Sequence, residues 1–228
     1  MRWLVAVAGL VAGLAAFGIG EATSELVPPE TVQQKVQGGT TTSLSRSTPR
    51  VVTRSGALAF GILGACLGGC LGIAGGLARR SASAAIVSGL SGAVLGLALG
   101  TGFSFAAFAL YYWADDHYVL DEMVKSVVLH GLIWAPLGAA AGLALAFGLG
   151  DRRLGGRTLA AGLLGALMGA VAFDLIAAIV FPMVRTADPA AETWLVRLTA
   201  RLLVSLATAL LVILNLPGPR FGRSAPVR

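Results

Sequence analysis

Few side chains in this sequence are equipped for chemistry, and they are widely spaced. Cys66 and Cys70 lie in the apolar run GILGACLGGCLGIAGGLARR, Gly61 to Arg80. His117 and Asp121 stand four apart in DDHYVLDE, with Asp115, Asp116 and Glu122 around them. Ser91 sits in GLSG, Asp174 interrupts GAVAFDLIAAIVF, and Arg201 lies in WLVRLTARLLV. By type these could form a thiol redox or metal site, a divalent-cation site, a serine nucleophile and an intramembrane ion pair.

Spacing removes most of those chemistries. On one helix, Cys66 and Cys70 have Cβ atoms about 5–6 Å apart, beyond the roughly 3.5–4.5 Å of a disulfide. A zinc or iron–sulfur site takes about four ligands. The only histidines, His117 and His130, are expected near the outer surface, whereas Cys70 lies about 14 Å along the helix from the opposite, inner end. Gly89 to Gly92, GLSG, superficially resembles the GxSG motif of rhomboid intramembrane proteases over four residues. That resemblance implies a serine paired with a histidine, but Ser91 and His130 fall about 20 Å apart in depth, out of hydrogen-bond reach. The acidic stretch at 115–122 has no extended ligand motif and reads as a solvated loop. No metal, no cofactor and no catalytic residue is assigned, and an enzyme is the least favoured class.

Asp174 and Arg201 are the more informative residues. Asp174 lies about 12 Å below the outer end of its helix and Arg201 about seven residues into the next, so antiparallel neighbours would carry opposite charges at nearly equal depth. Either charge alone near a bilayer centre costs about 2.5–3.5 kcal/mol on insertion scales. Pairing between Asp174 and Arg201 is therefore expected, either to fix the register of one helical hairpin or to line a pathway.

The elements that position these groups are read from apolar runs. Of the 228 residues, 56% are hydrophobic and 12% charged, with 31 glycines and a mean hydropathy of +0.82, against about 25% charged in soluble domains. Runs near or above the roughly 18 residues that cross a bilayer cover 3–20, 57–77, 84–111, 127–149, 158–181 and 194–216. The expected fold is all-α, a multi-pass transmembrane bundle of about six spans. Its parts are a first helix at 1–20 (or a cleaved leader), a polar extracytoplasmic loop at 21–55 without sustained period and expected to be largely disordered, a glycine-rich five-helix region at 56–217 and a basic cytoplasmic tail at 218–228.

Charge placement gives the orientation. Arg2, Arg79, Arg80, Arg152, Arg153, Arg157, Arg220, Arg223 and Arg228 flank one side, and nearly all the acids, Glu21, Glu25, Glu30, Asp115, Asp116, Asp121, Glu122, Asp188 and Glu192, lie on the other. The positive-inside rule puts the basic side, and both termini, in the cytoplasm, with the N terminus outside if the leader is cleaved. A bacterial cytoplasmic membrane is expected. The net charge of +6 is then a topology signal, and nucleic acid is not an expected partner. The bilayer is, together with a second copy or another membrane protein.

Small residues dominate the spans. Gly64, Gly68, Gly72 and Gly76 recur every fourth residue, and Gly92, Gly96 and Gly100, Gly138 and Gly142, and Gly165 and Gly169 continue the theme. Such a glycine zipper lets backbones approach closely where lipid gives no hydrophobic drive between helices. The cysteines fall about 200° and 240° round from Gly64, on another face. A 73-position shift lays GLLGALMG from Gly162 over GLSGAVLG from Gly89 and Arg152-Arg153 over Arg79-Arg80, suggesting three hairpin repeats. The expected role is a non-enzymatic structural or assembly component; the alternative is a solute or ion transporter or channel built on Asp174 and Arg201.

Overall fold

The computed structural model describes residues 1–36, 39–45, 48–118, 121–181 and 193–216. Among the described residues are six long helices: α1 (Arg2–Thr23), α2 (Pro49–Ala78), α3 (Ala82–His117), α4 (Glu122–Leu149), α5 (Arg152–Val180) and α6 (Trp194–Asn215). Each is long and apolar enough to cross a membrane. The chain is an all-α, multi-pass helical membrane bundle. The basic tail beyond 216, and Asp188 and Glu192 in the α5–α6 connection, lie outside the described residues.

Local sequence sets the helix ends. Pro49 opens α2, where its missing N–H is no loss. The side chains of Ser81, Asp121 and Asp151 accept backbone N–H bonds from Ala84, Met123 and Arg153 at 3.2, 2.9 and 2.9 Å, capping α3, α4 and α5. Gly150, at φ 70°, closes α4. Three helices run past the apolar runs: α2 begins at 49, α3 continues to 117, and α4, capped by Asp121, begins at 122.

The segment expected as a polar loop at 21–55 is more ordered than its composition suggests. It contains the last turn of α1, a short 3-10 turn (Ser24–Leu26), an antiparallel hairpin of β1 (Glu30–Val36) and β2 (Gly39–Ser45), and the first residues of α2. Thr and Val favour extended backbone, and Thr31 lies opposite Leu44 and Val36 opposite Gly39. Its end of the bundle is called the hairpin end below.

The helices α1, α2, α4, α5 and α6 form a ring closed by α1 against α6, and α3 lies across α2 and α4. The most apolar windows of α2 and α4 are 67% and 61% buried, against 28–39% for the others, so these two are the central helices. Near the hairpin end the core is aromatic, with Phe60, Phe108, Trp134 and Phe173. At the far end it is aliphatic, with Val5, Leu67, Leu71, Leu145 and Val212.

Glycines sit where helix backbones meet. A methyl group on Gly64 or Gly68 would run into the carbonyl of Gly96 or Gly92 on α3, and on Gly72 or Gly76 into Ser88 or Ala85. The converse holds for Gly92 and Gly96, and Gly138 and Gly142 meet Gly162 and Thr158 of α5 in the same way. On α5, Gly165 and Gly169 face the backbone of α6, with added Cβ atoms 2.7 and 2.8 Å from the Cα atoms of Thr208 and Val204. The α2–α3 and α4–α5 contacts cross the boundaries of the three hairpins expected from the 73-residue shift. The α5–α6 contact falls within one.

Candidate functional site

Asp174 and Arg201 are both buried, 4% and 8% exposed, but they do not pair with each other. Depth was readable from helix rise; direction around the helix decides the outcome. Asp174 lies about 140° and 180° round from Gly169 and Gly165, the two positions at which α5 meets α6. It turns instead to α4. There its Oδ1 accepts a hydrogen bond from Ser126 Oγ at 2.9 Å and lies 2.9 Å from His130 Nδ1.

Ser126, His130 and Trp134 recur every fourth residue and so share one face of α4. His130 stacks on Trp134, with centroids 4.6 Å apart and planes at 23°, and meets the edge of Phe173 at 5.4 Å. Ser126, His130 and Trp134 are 4%, 2% and 2% exposed. Two polar atoms of this cluster, Asp174 Oδ2 and Trp134 Nε1, have no hydrogen-bond partner among the described residues. Buried polar groups are rarely left this way. The site is polar, aromatic-walled and shared between α4 and α5.

Serine, histidine and aspartate in contact invite comparison with a nucleophilic triad, and the geometry does not match one. A triad places the carboxylate on one imidazole nitrogen and the serine on the other. Here both converge on His130 Nδ1, with Ser126 Oγ at 3.3 Å, and the serine hydroxyl donates to the carboxylate. The arrangement holds a carboxylate between two donors; it does not activate a hydroxyl.

Arg201 serves α1. Its guanidinium donates to the carbonyls of Ala16 and Phe17 at 2.9 and 3.1 Å and lies 5.8 Å from the Phe17 ring centroid. Gly20 leaves room for it, because a Cβ there would come 2.5 Å from the guanidinium nitrogens. One turn away, Arg197 grips Glu21 with two bonds of 2.7 and 2.6 Å. Together Arg197 and Arg201 tie α6 to the end of α1.

The remaining candidates have structural surroundings. Cys66 and Cys70 are free thiols, half-buried against the core. His117 bonds the Trp113 carbonyl at 2.8 Å and stacks on its ring, Asp121 caps α4, and Asp115 pairs with Lys125 at 2.5 Å. No group of three metal-ligand side chains occurs among the described residues. Ser91 bonds only back to Ser88 O at 3.2 Å, whereas Ser88 reaches across to the Gly72 carbonyl at 2.7 Å.

His130 and Ser126 do not stand out in the sequence, because the fourth apolar run begins at Val127 and places His130 near the surface. The four-residue spacing in SVVLHGLIW, Ser126 to Trp134, was the available signal. No family model, curated protein or solved structure matches the chain.

Proposed function

We propose that this chain is a non-enzymatic scaffold of a membrane assembly, a glycine-zipped bundle whose product is a rigid shape offered to a second copy or to another membrane protein. One observation carries the reading: at α2–α3, α4–α5 and α5–α6 the close approach is backbone to backbone at glycine. Such interfaces gain dispersion and weak Cα–H to carbonyl contacts and lose little side-chain entropy, which suits a part that must hold one form. The orientation that goes with it has both termini in the cytoplasm of a bacterial cell, as the arginine placement favours. The 73-residue similarity fits descent from duplicated hairpins.

A proton- or ion-linked transport role is the second reading. It is favoured by the buried carboxylate of Asp174, now with His130 rather than Arg201 as its ionisable neighbour. Reconstitution separates the two. A scaffold gives proteoliposomes no tighter or leakier to protons and common ions than empty ones, and a defined oligomer or co-purifying membrane partner from native membranes. A flux that disappears in Asp174→Asn would overturn the scaffold reading.

A further inference from the structure

We propose that Ser126, His130 and Asp174 form a proton-binding site within the bundle, which takes up one exchangeable proton beyond the hydrogen shared between His130 Nδ1 and Asp174 Oδ1 and is thereby kept neutral. The inference goes beyond the scaffold role and stands whether or not that role is right.

The argument begins with charge. The Asp174 carboxylate is 4% exposed and bonds a histidine packed on Trp134 and Phe173, so it has largely given up water, and an uncompensated ion there is strongly disfavoured. Four sets of ionisable groups come from the elements packed around α4 and α5. Arg197 and Arg201 on α6 are turned to α1, where Glu21 and the Ala16 and Phe17 carbonyls hold them. On α4, Lys125 is one residue from Ser126 but pairs with Asp115 of α3. Tyr111 and Tyr112 of α3 and Cys66 of α2 border the same core, and none carries positive charge. The group in position to answer Asp174 is therefore His130, at 2.9 Å.

That contact requires a hydrogen between the two atoms. With an ionised carboxylate and a neutral imidazole the cluster would carry a net negative charge. One more proton removes it, either as imidazolium with carboxylate or as neutral imidazole with carboxylic acid. Ser126 donates to the same Oδ1, and stacking on Trp134 favours a cationic ring. Both incline the proton toward the imidazole. Asp174 Oδ2, buried and unpartnered, is a second seat for it on the same group. The site lies near the hairpin end, since Ser126 and His130 are about 6 and 12 Å along α4 from its start. A proton entering from that side passes little more than two helical turns.

The protein has two histidines, and His117 lies exposed at the end of α3, so it is an internal reference. Full-length protein labelled with 15N-histidine, in lipid nanodiscs at pH 7, gives two sets of ring signals by magic-angle-spinning NMR. The expected result is an imidazolium signal for His130, or a neutral ring together with an infrared carbonyl band of a protonated carboxyl that is lost in Asp174→Asn. In Asp174→Asn the His130 signal should move to that of a neutral imidazole while His117 stays unchanged. A neutral His130 beside an ionised Asp174 in the wild type would overturn the proposal, and so would an imidazolium that persists in the variant. The wild-type spectrum decides even if the variant fails to assemble.

Discussion

The α2–α3 and α1–α6 interfaces join helices of similar apolar character by opposite means. Along α2–α3 the contact is shape: Gly64, Gly68 and Gly72 meet Gly96, Gly92 and Ser88 with backbone against backbone. At α1–α6 the far part is small-residue packing, Gly9 on Ala209 and Gly13 on Ser205, but the hairpin end is fastened by Arg201 on α1 carbonyls and Arg197 on Glu21. A seam built on shape tolerates no added atom. A seam built on charge depends on the partner group. Each should therefore fail to a different kind of substitution, and the α4–α5 interface, which has Gly138 on Gly162 and also the Asp174 cluster, should fail to both.

The largest effect is expected from Gly68→Leu or Gly96→Leu. Neither α2 nor α3 can give way locally, because the clashing atoms are a facing carbonyl and its helix. A loss above about 3 kcal/mol, beyond ordinary overpacking, should show as failure to give a monodisperse protein in detergent. Cys66→Ala and Cys70→Ala, half-buried on another face, should leave thermal stability within about 1 kcal/mol. Equal damage from both sets would mean that the close seam is not what holds α2.

The next effect separates the two buried charges. Asp174→Leu leaves Ser126 and His130 without their acceptor and should cost about 1–3 kcal/mol. Arg201→Leu frees carbonyls that already serve the α1 helix, so its cost should be smaller. Since the two side chains share no hydrogen-bond partner, the double variant should equal the sum within about 0.5 kcal/mol. By contrast Asp174→Leu with His130→Leu should depart from additivity by more than about 1 kcal/mol. Rescue of Asp174→Leu by Arg201→Leu would restore the ion pair first expected from depth.

Smaller again is the Arg197–Glu21 bond, whose side chains are 28% and 31% exposed. Glu21→Gln should cost about 1 kcal/mol or less. The loss should shrink as salt rises from about 0.1 M to about 1 M, where screening shortens from about 10 to 3 Å. Thermal melts of parent and variant at the two salt levels check this; an unchanged difference would place the pair deeper than its exposure indicates.

What the sequence disclosed and what it concealed divide along the same line. Span number followed from apolar run length, and Gly64 to Gly76 announced a close face by their four-residue period. Helix ends were less legible: Asp121 as a cap carries α4 five residues before the apolar run, and that shift alone takes His130 from the expected surface into the core. Partner choice was the least legible. Depth follows from 1.5 Å per residue, but whether Asp174 turns to α4 or α6 depends on which face of α5 its glycines present to α6. Hairpin formation at 30–45 was hidden because polar strands without an apolar face carry no alternation to read.

The finest test concerns a hydroxyl in the glycine seam. Ser88 Oγ lies within hydrogen-bond distance of two carbonyls that compete for its single proton, Ala84 O within its own helix at 2.6 Å and Gly72 O across the interface at 2.7 Å. If shape holds α2 to α3, that bond adds little: interhelical hydrogen bonds in membranes average about 0.6 kcal/mol. Alanine keeps the Cβ that already fits against Gly72, so Ser88→Ala should lower stability by about that amount. Ser91→Ala, whose hydroxyl bonds only within α3, should leave it unchanged. Thermal unfolding of the two single variants beside the parent, in one detergent, resolves the ranking. A loss above about 2 kcal/mol for Ser88→Ala would mean that the seam depends on a polar fastening much as α1–α6 does, and the contrast between the two interfaces would fall.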